Sequence, residues 1–484
     1  MTNSIRLLVA LGWALRLFHF LRDPSVWHDE AALIVNVLRH DFGELLGPLL
    51  WNEAAPPLFL WLERALVMLL GDSTFALRLL PLLASCATLP LVAVTAARRL
   101  PPRGAFWAVL LVAVSDRLLW HACEAKPYSL DVFIAALMLF AYDRTTLWSL
   151  NRRLFALMVI SPLVIFLSYP ACCLCGGFWL TLVVGQPLPL ACAAGSLGSP
   201  QRKQGEAAGS LGHATLFLSC ASVIGTAFLL LYLGPIRAQR TGPMEGCWLT
   251  HFPNWSRPWT LPWWSLMSTL EVLRYNFKPL GALYVGFVVV GGVTTWRRDR
   301  AWLVLLLAPL GLAWLGSVVG GYPYGGSRLE VFATPALALL IGAGIDPLRN
   351  WLAPPARWGY AIGIVPLLLL PLAFTVQNLV IPWPRVDASG ASRFIRERKQ
   401  PGEPVVANHW EYVYYFRDCP DEFWLDAPLP SAPRLWVSVT AQDDAEREAM
   451  IADFARRRRV VERRDFMFTT VLLLEQTDPA VAQR

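Results

Sequence analysis

Residues 5–21, IRLLVALGWALRLFHFL, form an apolar stretch about as long as a bilayer core is thick. Ten further stretches of this kind follow, near 74–97, 103–121, 127–143, 153–169, 171–190, 214–234, 279–296, 301–320, 330–346 and 356–378. Inside lipid every backbone N–H and C=O must find a partner within the protein, so such a chain folds as membrane-crossing helices. Composition agrees. Of 484 residues 55% are hydrophobic and 16% charged, where a soluble domain carries about 25% charged residues. The 22 tryptophans suit two membrane–water rims, where indoles concentrate. These features predict a polytopic α-helical membrane protein of about eleven transmembrane helices.

The net charge of +7 does not point to nucleic acid, because the arginines sit mostly in short loops between apolar stretches. Arg98, Arg99 and Arg103 share one such loop. Arg144, Arg152 and Arg153 share another, as do Arg202 and Lys203, then Arg297, Arg298 and Arg300, then Arg349 and Arg357. The positive-inside rule puts all five, with the N-terminus, on the cytoplasmic side. That assignment holds only if PPLFLWLERALVMLLG (56–71) does not cross. It is short for a span and carries Glu63 and Arg64, so it reads as a helix lying in the interface. No A-x-A-like site follows residues 5–21, which therefore read as a retained anchor.

The resulting plan has a transmembrane unit over 1–384 and a small extracytoplasmic α/β domain over 385–484. Within the first unit lie an outer loop (22–73), a flexible cytoplasmic insertion (about 191–213, with AAGSLG at 193–198 and again at 207–212) and a tryptophan-rich outer loop (235–278). In the C-terminal unit SRFIRERK and DDAEREAMIADFARR are helix-like, and PVVAN, RLWVSV and FMFTTVLLLEQ strand-like. The basic run RRRRVVERR (456–464) reads as a solvated helix end. The nine cysteines have no metal-ligand spacing. Cys172, Cys173 and Cys175 read as small buried thiols, and a Cys247–Cys419 disulfide is left open.

Four outer segments carry side chains suited to chemistry. In SVWHDEAAL (25–33) Asp29 and Glu30 lie just beyond the first span, placed to act as a general base or a cation site. They also fit an ordinary helix start. EAKPYSLD (124–131) supplies Glu124, Lys126, Tyr128 and Asp131. The chain has four lysines against 38 arginines, so Lys126 at a rim stands out; the plainer reading is a snorkelling lysine and a belt tyrosine. YPYGGSRLEVFATP (322–335) joins Tyr322, Tyr324, a Gly-Gly turn and Arg328, the makings of an anion site or of an anchored turn. Glu53 in WNEAAPPL is a further acid, or a residue at a helix start. If a divalent cation binds, Asp29 and Glu124 are its candidate ligands, but the spacing does not demand one.

WHDEAAL after a first span, NEAAPPLFLWLERALVMLLGDSTFALRLLPLL, EAKPYSLD and YPYGGSRLEVFATPALALL together resemble the GT-C fold glycosyltransferases of the protein-mannosyltransferase and aminoarabinose-transferase type (glycosyltransferase family 39-like). The resemblance covers most of residues 1–345. It implies a polyprenyl-phosphate sugar donor, and a protein, lipid or polysaccharide acceptor on the outer face of the cytoplasmic membrane. It implies no required cofactor. It places the essential acid on Asp29, with Glu30 beside it; Glu53 and Glu124 are candidate second acids on the reading of the residues themselves. It implies basic and tyrosine side chains around the donor phosphate, with Lys126, Tyr128 and Arg328 as the matching candidates; Tyr322 and Tyr324 are added as candidates from the YPYGGSR segment. Aminoarabinose transferases carry Glu-Lys-Pro before the interfacial helix; here Glu53-Ala-Ala-Pro lacks the lysine. The competing readings are a lipid-linked sugar flippase, which calls for mid-span charges, inverted repeats and broken helices, and a non-catalytic envelope binding protein.

Overall fold

The computed structural model describes residues 1–186, 200–352 and 354–476. A helix occupies most of each of the eleven apolar stretches, but among the described residues only seven helices are long and apolar enough to cross a membrane. The number rises to eight if Pro258–Asn276 and Gly281–Arg298, bent by 110° at their junction, count as one span. The count of eleven spans is therefore not reached. The stretch 103–121 shows why. Its helix stops at Ala113 and restarts at Asp116, because the Ser115 hydroxyl accepts from the Leu118 amide and caps a new helix. The carbonyls stranded by that stop are met by Arg16 of the first helix (Asn3–Leu21). Its guanidinium donates to Val112 and Ala113 at 3.2 Å each, to Gly12 at 3.0 Å and to Ser85 at 2.8 Å. A buried cation at a helix C-terminus satisfies both orphan carbonyls and the local dipole.

The helix Thr334–Trp351 runs through the middle of the body. It packs against Val285–Arg298 and Pro102–Ala113 through glycines. A Cβ at Gly104 would collide with the Gly342 carbonyl, and one at Gly291 with that of Leu340. Close backbone approach of this kind is how helices associate where apolar burial offers little between lipid and protein. The helix Pro57–Leu70 is 14 residues long, ends at Gly71 (φ 85°), and buries Phe59, Leu60 and Glu63 while exposing Leu62, Met68, Leu69 and Leu70. Its Arg64 donates to the Val37 and Leu38 carbonyls, closing the C-terminus of the helix His28–Arg39.

Two expectations are corrected, and one question left open is answered. Residues 200–213 are not a flexible insertion: they lead straight into the helix Pro200–Leu231. Pro200 suits a first helical position, and QRKQGEAA is rich in helix formers. Residues 191–199, including the first AAGSLG, lie outside the described residues. The tryptophan-rich 235–278 is not a simple loop, since Leu261–Asn276 is helical and forms one arm of the bent pair. Cys247 and Cys419 are both free thiols.

The C-terminal segment forms a five-stranded sheet in the order β2-β1-β3-β5-β4. Its strands are β1 (Val405–Ala407), β2 (Phe423–Leu425), β3 (Arg434–Thr440), β4 (Arg459–Phe466) and β5 (Thr469–Glu475). Strands β2, β1 and β3 run parallel, while β3, β5 and β4 alternate. Helix Ala388–Arg398 covers one face through Ala391 and Ile395 against Trp436 and Leu473, and Asp444–Arg457 covers the other through Ile451 against Val437 and Leu472. The run 456–464 is only partly a helix end: from Arg459 it is the edge strand β4, whose charges discourage further strand pairing.

The glycine contacts give a direct test of the helix packing. Gly342→Val forces the Pro102–Ala113 and Thr334–Trp351 helices apart. It should cost about 1–3 kcal/mol, read as a lowered melting temperature of the purified protein in detergent.

Candidate functional site

The chain leaves the first helix and enters His28–Arg39 through an extended residue, Trp27 (φ −98°, ψ 168°). Asp29 and Glu30 are therefore acids of a first helical turn, as an ordinary helix start requires. Consecutive helical residues point about 100° apart, and the two carboxylates go separate ways. Glu30 turns inward and is fully buried. Arg78 grips it bidentately, Nε to Oε1 at 2.7 Å and Nη2 to Oε2 at 2.8 Å, and the Ala125 amide donates to Oε1 at 2.9 Å. Arg78 also reaches Asp23 at 2.8 Å. Asp29 stays one-fifth exposed, with His28 Nε2 3.2 Å from one oxygen and Arg328 paired to the other.

The other candidates sort in the same way. Glu124 is fully buried and accepts from Trp27 Nε1 at 3.0 Å and Trp120 Nε1 at 2.8 Å, with His121 Nδ1 at 2.6 Å. Burial pushes its carboxyl up, but His121, Arg385 and Trp120 outweigh that and hold it below the usual range. Glu53 pairs with Lys126 across 73 residues. Tyr128 is buried 4.9 Å from the His121 ring, and makes no hydrogen bond among the described residues. Arg328 lies 5.8 Å from the Tyr128 ring, 5.9 Å from Trp27 and 5.8 Å from Trp248, and its Nε has no hydrogen-bond partner among the described residues. Tyr322 and Tyr324 are committed elsewhere. The first donates to the Leu329 carbonyl at 2.7 Å, and the second shares a 3.0 Å bond with Thr269. Among the described residues no group of three or more His, Cys, Asp and Glu side chains is arranged to hold a metal ion.

Asp29, Lys126, Tyr128 and Arg328 thus face one region, while Glu30 and Glu124 form its buried support. Several supporting residues carried no sequence signal that singled them out. Arg385 is buried 3.8 Å above the Trp120 ring and 3.9 Å from Glu30. From the C-terminal domain the Trp410 indole donates to the His28 carbonyl at 2.6 Å, His409 packs 5.5 Å from the His28 ring, and the Tyr415 hydroxyl accepts from the Val26 amide at 2.9 Å. Burial pushes the His28 imidazole down to about 4; Glu411 opposes this, while His409, Arg328 and Lys126 add to it. Arg78 lies in the FALRLL of the family-like motif, which by itself assigns it no role.

No family model matches the sequence, and no curated protein matches it. Solved structures do. ArnT from Cupriavidus metallidurans bound to undecaprenyl phosphate superimposes with a TM-score of 0.55 at 15% identity, over 98% of each chain. Its apo form gives 0.50 at 15% identity, over 96% of this chain and 97% of that one. The chain has the GT-C fold of ArnT. The resemblance read from WHDEAAL and its companion motifs is thereby shown at the level of fold, for a multi-pass membrane protein with a small C-terminal sheet. In this ArnT-like fold the first loop, the 122–127 turn and the 322–328 loop meet beside the C-terminal domain, at the same end of the helical body.

Two measurements follow. Glu30→Gln leaves Arg78 buried beside a neutral amide and should destabilise the protein by about 3–5 kcal/mol, seen as early thermal unfolding, whereas Asp29→Asn should melt near the parent. The depressed His28 pKa means that the unfolded chain takes its proton first as pH falls from 6.5 towards 4. Stability should therefore decline through that window, and His28→Asn should flatten this part of the profile.

Proposed function

We propose that the protein is an integral-membrane glycosyltransferase. It moves a sugar from a polyprenyl-phosphate donor to an acceptor at the outer face of the cytoplasmic membrane. One observation carries the reading: a partly exposed carboxylate, Asp29, lies against Arg328 at the open end of an ArnT-like helical body, beside His28, which feels the charge of Lys126. The ArnT structure with undecaprenyl phosphate supports a lipid-phosphate carrier for this fold. The arginine clusters 98–103, 297–300 and 349–357 lie at the other end of the helices, which favours a cytoplasmic placement for that end and an outer one for the site.

Each part of the reaction has a residue. Lys126 and Arg328 hold the donor phosphodiester, with the Tyr128 hydroxyl as a further donor. The acceptor oxygen or nitrogen attacks the anomeric carbon as the bond to the phosphate oxygen breaks. The acceptor proton passes to Asp29, and the carrier leaves as polyprenyl phosphate carrying one more negative charge. Fixed cations at the point where that charge appears stabilise the transition state, and a positioned carboxylate serves as general base. The missing lysine of Glu-Lys-Pro has a stand-in: Lys126, from a different loop, pairs with Glu53 at that place.

In the free protein both cations hold carboxylates, Lys126 on Glu53 and Arg328 on Asp29. The donor phosphate takes over Arg328 and releases Asp29 to meet the acceptor, so donor binding prepares the base. The bent pair 258–298 is a broken span or a re-entrant loop, and broken helices are a feature that a lipid-sugar carrier would also have. A carrier, however, needs its ionisable groups mid-span, and here the paired charges lie towards the helix ends, Asp29–Arg328 and Lys126–Glu53 at one and Arg99 with Asp143 and Asp299 at the other.

The test is transfer from radiolabelled polyprenyl-phosphate hexoses in proteoliposomes supplied with a cell-envelope extract as acceptor. Asp29→Asn should lose about 10²–10⁴-fold of the rate, and Arg328→Ala about 10²–10³-fold, with the donor still bound by the Asp29 variant. Tyr324→Phe, whose hydroxyl faces Thr269, should transfer like the parent. Full activity of Asp29→Asn would remove the proposed base; sugar crossing the bilayer without transfer would favour the carrier.

A further inference from the structure

The helical arm Pro258–Asn276 turns through 110° from Gly281–Arg298, close to a right angle. Both of its ends lie at the end of the body that holds the candidate site. Just before its start the Trp255 indole donates at 3.1 Å to the carbonyl of Val318, the last residue of the helix Arg300–Val318. That helix begins at the far end, where Asp299 meets Arg99. At the finish of the arm the Asn276 side chain accepts from Thr334, and its backbone carbonyl accepts from Ser115 at 3.3 Å. Thr334 opens the helix Thr334–Trp351, whose other end approaches Arg103 through Asp346. A helix with both ends on one side of the body does not cross the membrane.

Its exposed face indicates what it does instead. Trp259, Trp263 and Leu266 recur at helical spacing on one stripe, and they are 74%, 65% and 51% exposed. Ser268 and Val272, on the opposite side, are buried. Large apolar side chains grouped on a surface mark a contact with something apolar. The stripe is continuous with a surface that faces lipid. Trp314 of the neighbouring span donates to Ser265 at 3.0 Å, and that span exposes Leu315, with Val319 exposed just past its end. Arg257 and Lys278, both exposed, flank the stripe and suit lipid phosphates. Indoles concentrate at the membrane–water boundary. A polar acceptor or a partner protein would not account for the continuity with a lipid-facing span.

We propose that Trp259, Trp263 and Leu266 dock on the bilayer at the site end of the body, at the boundary of head groups and acyl chains, with Pro258–Asn276 lying in the membrane plane. The docked helix carries the loop of Arg328. Thr269 shares a 3.0 Å bond with Tyr324, the Tyr324 amide donates to the His251 carbonyl at 3.1 Å, and a Cβ at Gly326 would collide with the Glu271 backbone. The lipid surface thus sets the height of Arg328. Docking at this face does not depend on the sugar-transfer reading.

The experiment is electron paramagnetic resonance of the full chain in lipid nanodiscs, with a nitroxide attached to p-acetylphenylalanine introduced singly at Trp259, Trp263 or Leu266. Collisions with oxygen and with a water-soluble nickel chelate give the depth of each label. Labels at Glu446, exposed on the C-terminal domain, and at Val159, exposed midway along the helix Leu150–Leu167, calibrate water and acyl chains. The three stripe labels should lie about 5–10 Å below the lipid phosphates, with those at 259 and 266 at similar depth. A crossing helix would separate these two by about 10 Å, and that separation would overturn the proposal. So would nickel collisions as frequent as at Glu446, which would assign the stripe to water or to a soluble acceptor. Should one label prevent folding, the other two still give the depth.

Discussion

The bidentate pair between Glu30 and Arg78 holds the site in place. It joins the first turn of one helix to the start of another, 48 residues on, inside the protein. Asp23 and the Ala125 amide attach to the same two side chains, so the end of the first helix and the 122–127 turn are tied into one unit. Removing two charges from water costs several kcal/mol each, and only a complete set of hydrogen bonds offsets it. What the arrangement secures is placement. With Glu30 fixed, the helical turn leaves Asp29 no choice of face, and the C-terminal domain presses on the same segment through Trp410 and Tyr415.

The open part of the site is electrically balanced in the absence of ligand. Asp29 with Arg328, and Glu53 with Lys126, each form a cation–anion pair. A phosphate arriving there need not pay to bury bare cations; it exchanges for a carboxylate. In the proposed reaction such an exchange would couple binding of the donor to release of Asp29. Glu124 keeps apart from this exchange, since its oxygens are already occupied by two indoles and an imidazole.

The sequence made legible whatever follows from local pattern. Apolar stretches marked the helices, the arginine loops marked one end, and an acid just past the first span marked Asp29. It did not show where helices break, because VLLVAVSDRLLW is continuously apolar up to Ser115 and the carbonyls freed at the break are met by Arg16, 97 residues from Ala113. Nor did it separate Asp29 from Glu30, whose neighbours in sequence are alike and whose partners are not. The tyrosines at 322 and 324 looked like phosphate ligands because a sequence displays hydroxyls without their attachments. Trp410 meets His28 across 382 residues, a distance over which no periodicity carries information.

The central claim is that a lipid phosphate takes Arg328 from Asp29. It is tested most directly by determining the structure of the full chain with undecaprenyl phosphate in a lipid nanodisc. The account predicts the phosphate between Lys126 and Arg328, with the Asp29 carboxylate released from Arg328 and turned towards water. A phosphate bound elsewhere, or bound there with the Arg328–Asp29 pair still closed, would contradict it.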